Sequence, residues 1–277
     1  MTWRPVAPPE RLAAVRFLVG LFATFYVLGR IRYVADFSRY QTSSFAPAGV
    51  VRLLSSPLPP AATWTLALAC VALGLAFTLG RRLAIVAPAF FASLLWVLSY
   101  ANSWGKLLHS ENLFLVHVGV LALAGARRDE ATAGWVLRTC AVATAVVYFV
   151  AGVSKLRSGG GAWLTGEALG AWLAWDALRK IELGSLYSPL APVVAGSRPL
   201  LQILAIYTLL VELGAPVALA SPRAGRAWAL ATWAFHAGIL ATMAIGFFYP
   251  LSGIAFAPLL AVERLPVLRR IVQRVVG

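Results

Sequence analysis

Apolar stretches of about 13 to 23 residues, separated by polar connections, run the length of the chain. Their lengths and flanks predict membrane-crossing helices. The first spans Leu12 to Gly29 and leaves the membrane at Arg30 and Arg32. The second, Ala61 to Leu79, and the third, Leu83 to Tyr100, are joined by the tight basic turn Gly80-Arg81-Arg82 and form an antiparallel hairpin. A fourth follows the polar, aromatic stretch 101–112 and runs to about Ala126, a fifth covers residues 134 to 156, a sixth runs from Pro199 to Ala220 and a seventh from Arg226 to Phe247. An eighth, Pro250 to Val262, is short against the roughly 20 residues that a bilayer requires. Between them, residues 33 to 60 predict a short element in the interface, ended by Pro57, Pro59 and Pro60. Ala162 to Lys180 predicts an amphipathic helix with tryptophans at headgroup depth. The expected fold is therefore an all-α polytopic helical bundle of about eight transmembrane helices with interfacial helices. It is one domain over 1–277, with a core at 12–262 and a basic tail at 263–277 that is expected to rest on anionic membrane lipid and do nothing more specific.

Composition strengthens this picture. The chain is 60% hydrophobic, with a mean hydropathy of +0.80, too apolar for an ordinary soluble domain. Its net charge of +14 would suggest nucleic acid in a soluble protein, but the arginines sit in short connections between spans. They carry topology and not a phosphate-reading face, so no nucleic-acid partner is expected. With eight spans, the turns 80–82, 127–130 and 221–226 share one side with both termini, which the positive-inside tendency makes cytoplasmic. The first span acts as its own insertion signal, with no cleavable leader expected. Cys70 and Cys140 fall inside spans, as small reduced core residues.

Ionisable residues within the apolar segments are the candidates for function. Tyr148, Gly152 and Lys155, at i, i+4 and i+7, share one face at the end of the fifth span. A lysine there ordinarily snorkels its ammonium to the interface. Yet of 24 basic residues only three are lysines, and a desolvated lysine, unlike arginine, can lose its proton and act as a base. Glu212 in the sixth span needs a proton or a partner, for which Lys155, an arginine or a histidine would serve. His236 in the seventh is either a site residue or an imidazole bonded to a neighbouring helix, and His117 reads as a packing residue. No metal-ligand spacing, phosphate loop or nucleophile elbow occurs, so no metal is expected.

YFVAGVSKL at 148 to 156, with Trp163 and Gly166-Glu167 following, resembles a motif of the vitamin K-dependent gamma-glutamyl carboxylases and their bacterial relatives, the HTTM (horizontally transferred transmembrane) domain proteins. SWGKLLHSENLF at 103 to 114 is similar to that family's Trp-x-x-His-Ser segment, and FHAGILATMAIGFF at 235 to 248 to its Phe-His segment closing on Ile-Gly-x-Phe. The resemblance implies a quinol-dependent, carboxylase-like lyase in a bacterial inner membrane. Lys155 would deprotonate a reduced naphthoquinone that then works with O2 and CO2, while His109 and His236 shape the site and Tyr148, Trp104 and Glu212 contact the cofactor. Four residues separate Trp104 from His109 where the family has two, its paired asparagines are absent, and no counterpart of its large lumenal region follows the last span. The substrate expected is thus a small molecule, lipid or short peptide. The alternative is a non-catalytic scaffold or quinone-binding partner of a redox system.

Overall fold

The computed structural model describes residues 5–105 and 107–276, and every regular element among them is helical. Two compact units emerge, one of residues 1–140 with 261–277, the other of 141–260. Among the described residues, four helices are long and apolar enough to cross a membrane: α1 (Pro9–Asp36), α2 (Pro60–Thr78), α3 (Leu83–Ala101) and α5 (Glu130–Gly159), with α4 (Asn112–Ala124) between the last two.

In the first unit the hairpin of α2 and α3 forms as the pattern predicts, its turn closed by left-handed backbone at Gly80 (φ 69°) and Arg82 (φ 44°). α1 is longer than expected, carrying Arg30 and Arg32 inside its last turns. It meets α2 through small residues set four apart. A Cβ on Gly20 would lie 2.6 Å from the Thr78 hydroxyl, and one on Gly74 would lie 2.3 Å from that of Thr24. Thr24 and Thr78 each donate to the carbonyl four residues back, at 2.7 Å, so no polar atom is stranded at the crossing. This is the packing expected where lipid removes the hydrophobic drive and close backbone contact must replace it. α4, at 13 residues, is about 20 Å long and too short to cross by itself. His117 on α4 is buried and bonds the Cys140 carbonyl at 3.2 Å, the packing role that its apolar flanks suggest.

Residues 37–59 are short turns and extended chain that fold back on the end of α3, where the Ala46 amide donates to the Ser103 carbonyl at 2.8 Å. Helix α11 (Pro266–Val276) packs on α1. Arg11 donates to both oxygens of Glu263, at 3.0 and 2.8 Å, tying the start of α1 to the segment before α11. Burial pushes the Glu263 carboxyl up, but the Arg11 hydrogen bonds and positive charge outweigh it and hold the group below its ordinary value. A carboxyl depressed in the folded state stabilises above its unfolded pKa, and that contribution disappears as pH falls through the folded value. Arg11→Met is expected to cost about 1 kcal/mol at neutral pH and little in acid, below the carboxylate range. Thermal midpoints of the detergent-solubilised protein across pH would show the two curves converging in acid; a constant offset would contradict the assignment.

The second unit holds the end of α5, then α6 (Glu167–Glu182), α7 (Leu190–Ala195), α8 (Arg198–Leu213), α9 (Pro222–Met243) and α10 (Phe248–Leu251). Here the expected spans are revised. The sixth stops at Leu213, because Gly214-Ala215-Pro216 turns the chain into a 3-10 segment. The seventh, α9, is 22 residues long but begins with Arg223 and Arg226 and carries His236. The eighth is not a continuous helix: Gly253 at φ 75° and Pro258 break it into α10 and a 3-10 turn at Ile254–Leu259. α6 is amphipathic in an inverted sense. Asp176 and Lys180 are buried, while Trp172, Trp175, Leu178 and Ile181 are exposed. Exposed apolar side chains over buried charges are the arrangement an apolar solvent demands.

Candidate functional site

The second half of α5 delivers Tyr148, Gly152 and Lys155 to one side, and each meets a neighbouring helix within the second unit. At Gly152 the missing side chain is the condition for contact. A Cβ there would lie 2.9 Å from Leu213 Cδ2 and 3.0 Å from Glu212 Cβ, so α8 can seat against α5 only over a glycine. Three residues on, Lys155 Nζ donates to Glu212 Oε1 at 2.5 Å. The Glu212 side chain is only 4% exposed and that of Lys155 25%. Of the three partners that the sequence allows for Glu212, the lysine is the one that reaches it. Its second oxygen, Oε2, is buried without a hydrogen-bond partner among the described residues.

Two turns earlier on α5, the Tyr148 hydroxyl and His236 Nε2 are 2.7 Å apart. Trp228 stands edge-on to the Tyr148 ring at 5.2 Å and donates from Nε1 to the Val211 carbonyl, fixing α9 against α8. His236 is buried, and its Nδ1 also lacks a partner among the described residues. Of the two readings the sequence allows, the structure shows the bond to a neighbouring helix, and it leaves one imidazole nitrogen uncommitted among the described residues.

Beside the ion pair lies a cavity of about 550 Å³, walled by residues of α5, α6, α8 and α9 and by Ile245 and Phe247. Leu169, Leu173, Leu204, Phe235 and Ile239 make it apolar, and Lys155 brings a cation to its lining. Lys155 Nζ also sits 5.5 Å from the centre of the Trp163 ring, a cation–π contact. Four hydroxyls on the lining donate to the backbone: Ser158 to Ser154, Tyr207 to Ala231, Thr208 to Leu204 and Thr242 to Gly238. Tyr148, Glu212 and His236 are not lining residues; Glu212 meets the cavity through Lys155.

One wall rests on a network the sequence reading missed. Buried Lys180 pairs with Asp176 at 2.8 Å and donates to the Met243 carbonyl, while Ser188 donates to the Ala241 carbonyl at 2.5 Å. These cap the end of α9, where Ala244 takes a left-handed conformation (φ 50°) before the chain returns to line the cavity. The scarcity of lysine, which drew attention to Lys155, applies equally to Lys180.

His109 and Trp104 belong to the first unit. His109 is exposed at the start of a 3-10 turn. Trp104 stacks nearly parallel on Phe37 at 5.5 Å and is flanked by Phe45. Lys106 of the same stretch lies outside the described residues. Close by in sequence, buried Glu111 accepts from Tyr26, from Arg30 at 2.9 Å and from Asn102 at 3.4 Å. That carboxylate is satisfied and anchors the turn. Among the described residues, no three His, Cys, Asp or Glu side chains gather as metal ligands would. Comparison with protein-family models, with curated proteins and with solved structures finds no match to this chain.

Proposed function

We propose that the second unit binds a lipophilic quinol and that Lys155 acts on it as a base, making the protein a quinol-dependent, carboxylase-like membrane enzyme. The observation that carries this reading is a lysine on the lining of a largely apolar cavity, paired with a buried carboxylate that keeps one oxygen without a partner among the described residues. A volume near 550 Å³ suits a drug-sized ring with part of an apolar tail, so a reduced naphthoquinone fits the residues present. When bound, such a group supplies an acidic hydroxyl and reducing equivalents for chemistry with O2 and CO2. Lys155 would orient that hydroxyl and take its proton, and Glu212 would share the proton, since a neutral lysine beside a neutral carboxylic acid is tolerable in an apolar wall. Tyr148 and His236 would hold α9 in register and keep a second proton-accepting nitrogen near the site. Trp172, exposed on the cavity's rim, suits a ligand and substrate arriving from lipid. The Arg11–Glu263 tie, which joins the start of the first span to the tail, supports a bundle with both termini on one side, read as the cytoplasmic side of a bacterial inner membrane.

The ion pair also favours a second reading, a quinone-binding scaffold in which Lys155 is only a structural cation. Lys155→Arg separates the two, because arginine keeps the pair and gives up the deprotonatable amine. With a short-chain menaquinol as probe, the variant is expected to retain binding and to lose quinol-dependent oxygen uptake by on the order of a hundredfold or more. Uptake equal to wild type would overturn the base assignment, and absence of binding in every variant would overturn the quinol reading.

A further inference from the structure

We infer that α11 is a docking surface for the phosphodiester headgroups of anionic lipid. The helix has two faces with different commitments. Leu268 and Val272, four residues apart, are buried where α11 packs on α1. Arg270 and Arg274 project from the opposite side and Arg269 from its flank, and all three are exposed. The apolar face is therefore already occupied by protein, which leaves the basic face as the free one. No acidic residue follows Glu263 in the sequence, and both Glu263 oxygens accept from Arg11. Arg269, Arg270 and Arg274 thus form a run of positive charge without an acidic residue on the same helix, while Arg264 stands beside Glu263.

The position of this face selects its partner. Arg11 lies in the first turn of α1, a helix long and apolar enough to cross a membrane from Pro9 onward. Glu263, clamped to Arg11, sits at the same level, and α11 begins three residues later. The arginines therefore stand where a span enters the bilayer, at headgroup depth. Leu265 and Val267, both more than half exposed, flank the basic face and can reach the acyl boundary. Arginine beside exposed aliphatic side chains at that depth fits a lipid phosphodiester better than a free anion, which would need only the charge. This inference rests on the membrane reading of the first unit and is independent of the quinol cavity.

The test uses the full-length protein purified in detergent, once its need for detergent and its resistance to alkaline extraction have established membrane integration. Phosphatidylglycerol, phosphatidylcholine and inorganic phosphate are added separately, with retained lipid read by native mass spectrometry and the thermal midpoint by intrinsic fluorescence. Phosphatidylglycerol is expected to bind and to raise the midpoint in a salt-sensitive way. In Arg269→Gln/Arg270→Gln/Arg274→Gln its affinity is expected to fall on the order of a hundredfold, with the midpoint in phosphatidylcholine unchanged because the three side chains are exposed. A matched variant, Arg81→Gln/Arg82→Gln, is expected to keep the wild-type affinity. Equal loss in that control would assign the effect to general positive charge, and competition by inorganic phosphate would assign it to a free-anion site. Either result, or undiminished binding in the triple variant, overturns the proposal.

Discussion

Lys155→Ala is expected to destabilise the protein by about 3–5 kcal/mol, because it strands the Glu212 carboxylate in a buried site with no other partner among the described residues. The carboxyl can escape by taking up a proton, which from its ordinary pKa costs on the order of 4 kcal/mol at pH 7, so the two routes are comparable. That escape becomes easier in acid, and the deficit of the variant should shrink as pH falls toward 5. Replacing both partners with apolar groups, as Lys155→Met with Glu212→Leu, is expected to restore the thermal midpoint, since nothing charged is then left unpaired. Under the base reading the same double variant has no turnover. The pair of variants thus separates what the ion pair does for the fold from what Lys155 does for chemistry, which Lys155→Ala alone cannot do. An unchanged midpoint in Lys155→Ala would mean that Glu212 finds another partner, and the buried pair would not be the device described here.

The parts of the fold visible in the sequence are those fixed by local signals. Gly80-Arg81-Arg82 marks a turn between two apolar runs of span length, and the α2–α3 hairpin follows. Tyr148, Gly152 and Lys155 share a face by helix periodicity alone, and that face is the one on which α5 meets α8 and α9. Segments that failed did so for equally local reasons read with the wrong weight. Residues 250–262 are apolar apart from Ser252, but Gly253 and Pro258 deny them a continuous helix. On α6 the pattern predicts an amphipathic interfacial helix without saying which face is covered, and Asp176 and Lys180 turn inward while Trp172 and Trp175 turn outward. Hydrophobic periodicity gives the stripe and not the side that faces protein, and in lipid the sense reverses. Pairings between distant residues were the least accessible: 88 positions separate Tyr148 from His236, and nothing in either segment names the other. Glu212 to Lys155 was legible only as one of three choices, because a buried carboxylate demands a cation or a proton without specifying which.

Gly152→Leu is the second large effect expected, and it tests whether the close approach of α5 and α8 creates the site. The Cβ alone would meet Leu213 Cδ2 at 2.9 Å and Glu212 Cβ at 3.0 Å. The leucine terminus can rotate aside, but Glu212 Cβ is carried by the helix backbone, so α8 itself must shift. Overpacking of this kind costs about 1–3 kcal/mol. The shift also draws Glu212 away from Lys155, a single turn further along α5, and weakens a contact that is 2.5 Å long. Gly152→Ala should then lower the thermal midpoint modestly and Gly152→Leu strongly. The decisive comparison places Gly152→Leu in the Lys155→Met/Glu212→Leu background, where no ion pair remains to be broken. Its cost there should fall to the overpacking part, a coupling that only neighbouring sites show. If the substitution costs the same in both backgrounds, the glycine seat and the ion pair are independent features, and the small residue at 152 serves packing without setting the distance at which Lys155 meets its carboxylate.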